Sequence, residues 1–352
     1  MTASRVAAAT VAATPPATSA ATPPAGAVAT PAPRGPVLDL NARACALADD
    51  IIARAKEFRV TSSILANGAR VIDAGIDVRG GYAAGRALSE ICMGGLGHVH
   101  LQSVEIGGTT FPGVEVWTDH PAISCMASQY AGWAIKTGDF FGMGSGPLRA
   151  HARVETELFA KLNYAEVATH GVLVLETRAH PTEAVAAWVA ERAHLTPAQL
   201  TFLVAPTASI AGCVQIVARI LETGLHKMDT LGFDITRIVS GIGSAPIPPV
   251  PKSDLRGIGR TNDCILYGGQ ARFTVDADDD ELAALAPRVP AEASRDYGTP
   301  FYDIFKRYNN DFYKIDPLLF SPAEIWLTSV SSGRTFHAGH VNLDVLTTSL
   351  SS

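Results

Sequence analysis

The stretch Ala205–Asp229, APTASIAGCVQIVARILETGLHKMD, constrains this chain more than any other, because it encodes a helix with almost no face to offer water. Pro206 breaks the apolar run Phe202-Leu203-Val204, and Thr207 or Ser209 can cap the helical segment beyond it. From there Ile210, Val214, Val217, Leu221 and Leu225 recur at three- and four-residue intervals, which predicts one helix over Ile210–Lys227. Its polar residues Gln215, Arg219, Glu222 and His226 stand at i, i+4, i+7 and i+11. At about 100° per residue they fall within a stripe roughly 60° wide. A surface helix normally carries a broad polar face, so this one has to be enclosed on nearly every side, with a single thin polar line. Two readings of that line stay open on the residues alone. It can be an exposed edge with an ordinary Arg–Glu pair, although Arg before Glu is the poorer order for such a pair. Alternatively Arg219 and Glu222 face a cleft, where Glu222 holds a water as general base and Arg219 orients it and tunes its pKa.

Enclosing such a helix takes a large core, and 352 residues are enough for two. The chain is 47% hydrophobic with a formal net charge of −6, and no Lys/Arg cluster is placed to track phosphates, which argues against a nucleic-acid partner. Cys45, Cys92, Cys125, Cys213 and Cys264 stand singly with no CxxC pair, the pattern of reduced buried thiols rather than of a disulfide or zinc framework. No apolar run approaches the roughly 20 residues needed to span a bilayer. A soluble, cytoplasmic protein without a membrane partner is therefore expected.

Residues 1–37 are rich in Ala, Thr and Pro and cannot bury enough surface to order themselves, so a disordered tail is expected there. Asp39–Phe58 has the pattern of an amphipathic helix, and Asn67-Gly68 marks a hairpin between Val60–Leu65 and Arg70–Asp73. Further helices are predicted at Ala83–Ile91, Pro121–Trp133, Ala150–Leu162, Thr182–Ala193 and Pro300–Tyr308, with a short one ending the chain. Strands are predicted at Val99–Ile106, Val114–Thr118, Gly171–Glu176, Thr201–Val204, Ile238–Ser240, Asn262–Tyr267 and Ala271–Val275, and a hairpin at Ile325–Val330 and Thr335–Ala338. Gly241–Pro251 reads as a Gly/Pro-rich loop. Helices and strands are mixed without regular βαβ alternation, which predicts an α+β fold of two lobes. The expected division is a first lobe over residues 38–165 and a second over 166–352 that carries the central helix, with segments free to exchange between them.

The chemical constellations are few. His98 and His100 would share one face of a strand, with His120 nearby in sequence, but no third spaced ligand completes a metal set and none is expected. Gly142–Pro147 (GMGSGP) can form a nest of backbone N–H groups, although it has neither the Walker nor the dinucleotide spacing. Cys125 and Cys213 sit in apolar helical contexts typical of core thiols. Glu176 closes the buried strand GVLVLE, either as a turn residue or where such folds place ligand contacts, and Thr261–Asp263 is open to the same two readings.

Several blocks together resemble the methenyltetrahydromethanopterin cyclohydrolase family. They are the central APTASIAGCVQIVARILETGLHKM, MGGL at Met93–Leu96, TDHPAI at Thr118–Ile123, GMGSGP, GRTNDCILYGG at Gly259–Gly269, and SRDYGTPFYDIFKRYNNDFYKIDPLLFSPAEI at Ser294–Ile325. The resemblance runs from about Leu40 to the C-terminus and leaves only the tail uncovered. It implies two α+β lobes with the active-site cleft between them, in a cytoplasmic, metal-free homotrimer of one-carbon metabolism, in the setting of formaldehyde oxidation. Such an enzyme hydrolyses a methenyl-tetrahydromethanopterin substrate reversibly to its N5-formyl form. The carrier is then the substrate, and no cofactor is implied. The family's catalytic Arg and Glu fall on Arg219 and Glu222, the pair already raised by the polar stripe. Glu176, Gln215, Ser145, Thr207 and Asn262 are assigned to the substrate cleft, with Glu176 suited to the 2-amino and N3–H donors of the pterin. Tyr130 is also assigned to substrate binding, and it is a departure, since some archaeal members carry Lys there and a charge contact with the substrate's anionic tail does not carry over to a tyrosine. The rival readings are a non-catalytic pterin-binding protein and a metal-dependent amidohydrolase using the histidines.

Overall fold

The structure is a computed structural model that describes residues 38–309, 311 and 314–351. The Ala/Thr/Pro-rich tail expected to be disordered lies outside the described residues. Among the described residues, twelve strands divide into two mixed six-stranded sheets with helices packed against them, the α+β architecture expected. In the first sheet the order is β1 (Thr61–Ile64), β2 (Arg70–Asp73), β8 (Leu200–Ala205), β7 (Gly171–Glu176), β6 (Phe140–Ser145) and β5 (Trp133–Thr137). Here β2–β8 and β7–β8 pair parallel and the rest antiparallel. The second sheet runs β12 (Thr335–Gly339), β11 (Glu324–Ser329), β10 (Gln270–Val275), β9 (Ile238–Pro246), β4 (Thr109–Thr118) and β3 (Gly97–Ile106), with only β10–β11 parallel. Sheet membership does not follow chain order, because the β3–β4 hairpin joins strands more than a hundred residues downstream.

The central segment is two helices, Ile210–Val217 and Ile220–Thr230, where the apolar period predicted one. Ser209, not Thr207, caps the first, its Oγ accepting the Gly212 N–H at 2.9 Å. At the break the Arg219 N–H reaches back three residues to the Ile216 carbonyl, and Gln129 Nε2 donates to the Ala218 carbonyl at 3.1 Å. A side chain from another element thus fixes the point where the helix re-starts, information that no periodicity within the segment carries.

Other departures have local causes. Asn262–Tyr267 is not a strand; it closes the Asp254–Leu266 helix, which starts at a Ser253 cap upstream of the short apolar run. The expected loop at Gly241 is strand β9 as far as Pro246. Its glycines lie against packed side chains, since a Cβ at Gly241 would meet Phe273 at 3.1 Å and one at Gly243 would meet Leu221 at 3.1 Å. GMGS at 142–145 belongs to β6 rather than to a turn. Ala150–Leu162 splits into Leu148–Ala152 and Thr156–Leu162 around Arg153 at φ +50°. Pro121–Trp133 contains a π-helix, Ala122–Gln129, before β5 begins.

The Tyr82–Cys92 helix packs closely on the Ile210–Val217 helix, because Gly85 lets the two backbones approach: a Cβ there would lie 2.6 Å from Val214 Cβ. Gly85→Leu is expected to destabilise the protein by about 1–3 kcal/mol through overpacking. The check is the urea midpoint, and partial recovery in Gly85→Leu/Val214→Ala would assign the loss to this contact.

Candidate active site

The break between the two central helices makes Arg219 the residue that precedes the second helix and places Glu222 in that helix's first turn. Both are buried, with Arg219 1% and Glu222 0% exposed, so the polar stripe is not a solvent edge. The Arg219 guanidinium is held by neutral acceptors. Nη1 donates to the Gln129 carbonyl, and Nη2 donates to Ser145 Oγ at 3.1 Å and to Gln215 Oε1 at 3.2 Å. Glu222 Oε2 lies 3.8 Å from Arg219 Nη1, inside ion-pair range but beyond a hydrogen bond. Neither Glu222 oxygen has a hydrogen-bond partner among the described residues.

Burial pushes the Glu222 carboxyl up to about 8, against the opposing pull of Arg219 first and Arg149 second. Glu176, on β7 opposite Met143 of β6, accepts a hydrogen bond from Thr207 Oγ1 on one oxygen. Its other oxygen is buried without a hydrogen-bond partner among the described residues. Burial raises Glu176 to about 7, with Thr207 and Arg219 acting to lower it. Two buried carboxyls therefore change charge close to neutrality, each able to accept or give a proton.

The structure gathers Ser145, Gln215, Arg219 and Glu222 into one cluster and sets the Glu176–Thr207 pair within electrostatic reach of it. Tyr130 stands to one side, its ring stacked on His226 at 5.5 Å. Asn262 is buried, but its amide donates to Ile258 in its own helix at 2.8 Å rather than to the Arg219 cluster. Of the histidines considered for a metal, His98 is stacked on Trp117 at 4.1 Å on an exposed strand face. Sequence reasoning missed Gln129, Cys92 and Arg149. Gln129 grips both sides of the helix break, Cys92 Sγ lies 3.4 Å from Ser145 Oγ, and the wholly buried Arg149 guanidinium acts on Glu222 from another element. A lone arginine in an otherwise apolar GPLRA segment was the available signal for the last.

The family model described as Cyclohydrolase (MCH) matches residues 39–350. A methenyltetrahydromethanopterin cyclohydrolase of Methylobacterium organophilum is 48% identical over 307 residues, covering 86% of this chain and 94% of the relative. One from Methylobacillus flagellatus is 47% identical over 304 residues, with 85% and 91% covered. The protein of that name in Methanococcoides burtonii is 41% identical over 311 residues, with 88% and 97% covered.

Glu222 has a folded-state pKa near 8 against an ordinary value of 4.5, so its protonated form is the one the fold favours. Its contribution to stability is full below the unfolded value and is lost as pH rises through the folded one. Glu222→Gln, which stays neutral, is therefore expected to gain stability relative to the parent protein between about pH 5 and 8 and to level off above. Urea unfolding of both proteins at acidic, neutral and alkaline pH measures this, and a pH-independent difference would contradict the buried, unbonded carboxyl.

Proposed function

This chain belongs to the methenyltetrahydromethanopterin cyclohydrolase family, and from that premise we propose that Glu222 and Arg219 carry its reaction. The protein is a hydrolase acting on the cyclic amidine of a methenyl-tetrahydromethanopterin substrate. The observation that supports the two residues is a buried carboxyl with both oxygens unbonded among the described residues. It lies 3.8 Å from a guanidinium fixed by other partners.

The bridging carbon of the substrate is part of an amidinium cation and is electrophilic as it stands. Water attacks it, a C–O bond forms, and the product is a tetrahedral carbinolamine. Glu222, ionised, takes the proton from the attacking water. The C–N10 bond then breaks, its electron pair goes to N10, where Glu222 returns the proton, and the carbinol hydroxyl loses its proton to solvent as the formyl C=O forms. A cationic substrate becomes a neutral product, so one proton is released overall. Arg219 positions Glu222 and resists the burial that would keep it protonated. A pKa near the operating pH suits a group that must act first as base and then as acid. Glu176 pairs with the pterin's 2-amino and N3–H donors, for which Thr207 holds one of its oxygens and leaves the other unused among the described residues. No cofactor takes part in this scheme. The homotrimer and the cytoplasmic setting of formaldehyde oxidation belong to the same proposal.

Loss of the methenyl absorbance band on incubation with methenyl-tetrahydromethanopterin measures the activity. Glu222→Gln is expected to lower kcat by about 100- to 10,000-fold, the usual share of a general acid/base, with KM little changed. Glu176→Gln is expected to raise KM by about tenfold or more, the worth of a charged hydrogen bond. EDTA should leave the rate unchanged. Near-normal turnover by a stably folded Glu222→Gln protein would remove the residue from the mechanism, and zinc-restorable loss with EDTA would favour a metal-dependent reaction.

A further inference from the structure

Arg149 lies outside the Arg219 cluster and yet grips the π-helix that helps to hold it. Its Nε donates to Glu155 Oε1 at 3.1 Å, and Nη2 lies 2.7 Å from Glu155 Oε2, an ion pair held by one hydrogen bond. Its Nη1 donates to the carbonyls of Met126 at 3.3 Å and Ser128 at 3.1 Å, the last turn of the π-helix. The next residue of that helix is Gln129, whose carbonyl takes the Arg219 guanidinium and whose amide fixes the Ala218 carbonyl at the helix break. On its flat side the Arg149 guanidinium lies 5.0 Å from the Tyr130 ring, which stacks in turn on His226, one turn beyond Glu222. Gly132 leaves room for this arrangement, since a Cβ there would fall 1.7 Å from Glu155 Oε1.

We propose that Arg149 and Glu155 are a positioning pair for the reaction: Arg149 orients Arg219 through the π-helix and governs the charge of Glu222, and Glu155 tempers it. The proposal rests on the reading of Glu222 as acid/base. Arg149 is fully buried, whereas the Glu155 side chain is 21% exposed, so the pair carries a positive charge inward and its counter-charge to the rim. Among the groups around Glu222, Arg219 acts on its charge first and Arg149 second. From its own helix come Arg219, His226, which burial keeps neutral, and Lys227, which is turned to the Leu318 carbonyl. Asp229 pairs outward with Lys161. The π-helix offers Cys125, a thiol that burial pushes up to about 12. Beyond Arg219 lie Cys92 and Glu176. The strands of the second sheet beneath the helix present glycine and apolar side chains there, among them Gly241, Gly243 and Phe273. The turn at Ile235–Arg237 directs Arg237 to Glu281 and Asp234 to Thr236.

The pair predicts opposite shifts, which damage to the fold does not produce. Arg149→Gln removes the inward cation, Glu222 ionises less readily, and the alkaline-rising limb of the kcat/KM profile moves up by about one pH unit. Glu155→Gln leaves that cation unopposed, and the limb moves down. Arg149→Lys keeps the charge but not the fork, so its midpoint stays at the parent value while kcat falls. A second readout needs no substrate: infrared titration of the protonated-carboxyl band, assigned by its loss in Glu222→Gln, follows Glu222 directly in the full chain. Should the parent protein fail to hydrolyse the methenyl carrier, the proposed function is lost, and the infrared shifts still decide the role of Arg149. Should Arg149→Gln not fold, Glu155→Gln and Arg149→Lys decide it. Unmoved midpoints, or shifts of the same sign in Arg149→Gln and Glu155→Gln, would overturn the proposal.

Discussion

The site depends on what Arg219 does not do. A buried arginine three residues from a buried glutamate could close a two-point fork on it, which would fill the carboxylate's lone pairs and hold it ionised. Here the guanidinium is instead occupied by a backbone carbonyl, a hydroxyl and a side-chain amide, from Gln129, Ser145 and Gln215. It therefore presents its charge to Glu222 at 3.8 Å without bonding it. The carboxyl keeps both oxygens for another partner, and its charge is set by a contest between burial and two guanidinium groups.

Such an arrangement is costly, since each buried polar atom left unbonded weighs about 1–3 kcal/mol against the fold. Besides Glu222, the atoms Gln129 Oε1, Glu176 Oε2 and Arg219 Nε are buried without a hydrogen-bond partner among the described residues. They sit on rigid elements: adjacent paired strands carry Ser145 and Glu176, and helices carry Arg219 and Glu222. The apolar cores offset the cost and hold the groups apart, and the largest of them includes Ile220, Leu221 and Leu225 from the helix that bears Glu222. Several unsatisfied groups near one another on rigid elements are what a site prepared for a polar ligand requires.

How much of this was legible in the sequence depends on the range of each signal. Local periodicity carried most of the strands and helices, because burial on one face is written at spacings of two or of three to four residues. It also carried the identity of the polar stripe. Glu222 and Arg219 are conspicuous because nearly everything around them is apolar. The signal failed where the deciding contact came from far along the chain. The helix break depends on Gln129, about ninety residues away in sequence. Strand β9 looked like a loop because its glycines answer to Phe273 and Leu221 rather than to a turn. Asn262–Tyr267 looked like a strand because only its apolar end was weighed, not the Ser253 cap that begins the helix. Arg149 was passed over because its partners, Glu155, the π-helix carbonyls and Tyr130, meet only in three dimensions.

The same contest over the Glu222 charge couples substrate to catalysis on the proposed reading. Enclosure among apolar residues keeps the carboxyl protonated at neutral pH, which is the wrong form for attacking water. The amidinium of the substrate is a cation, and placed beside Glu222 it joins Arg219 and Arg149 against the effect of burial. The base is then ionised by the arrival of the group it serves. When the C–N10 bond breaks, that positive charge is gone, and burial again favours the protonated carboxyl. On that reading the same group serves attack and bond cleavage, because a carboxyl poised between its two forms can take the proton and give it back.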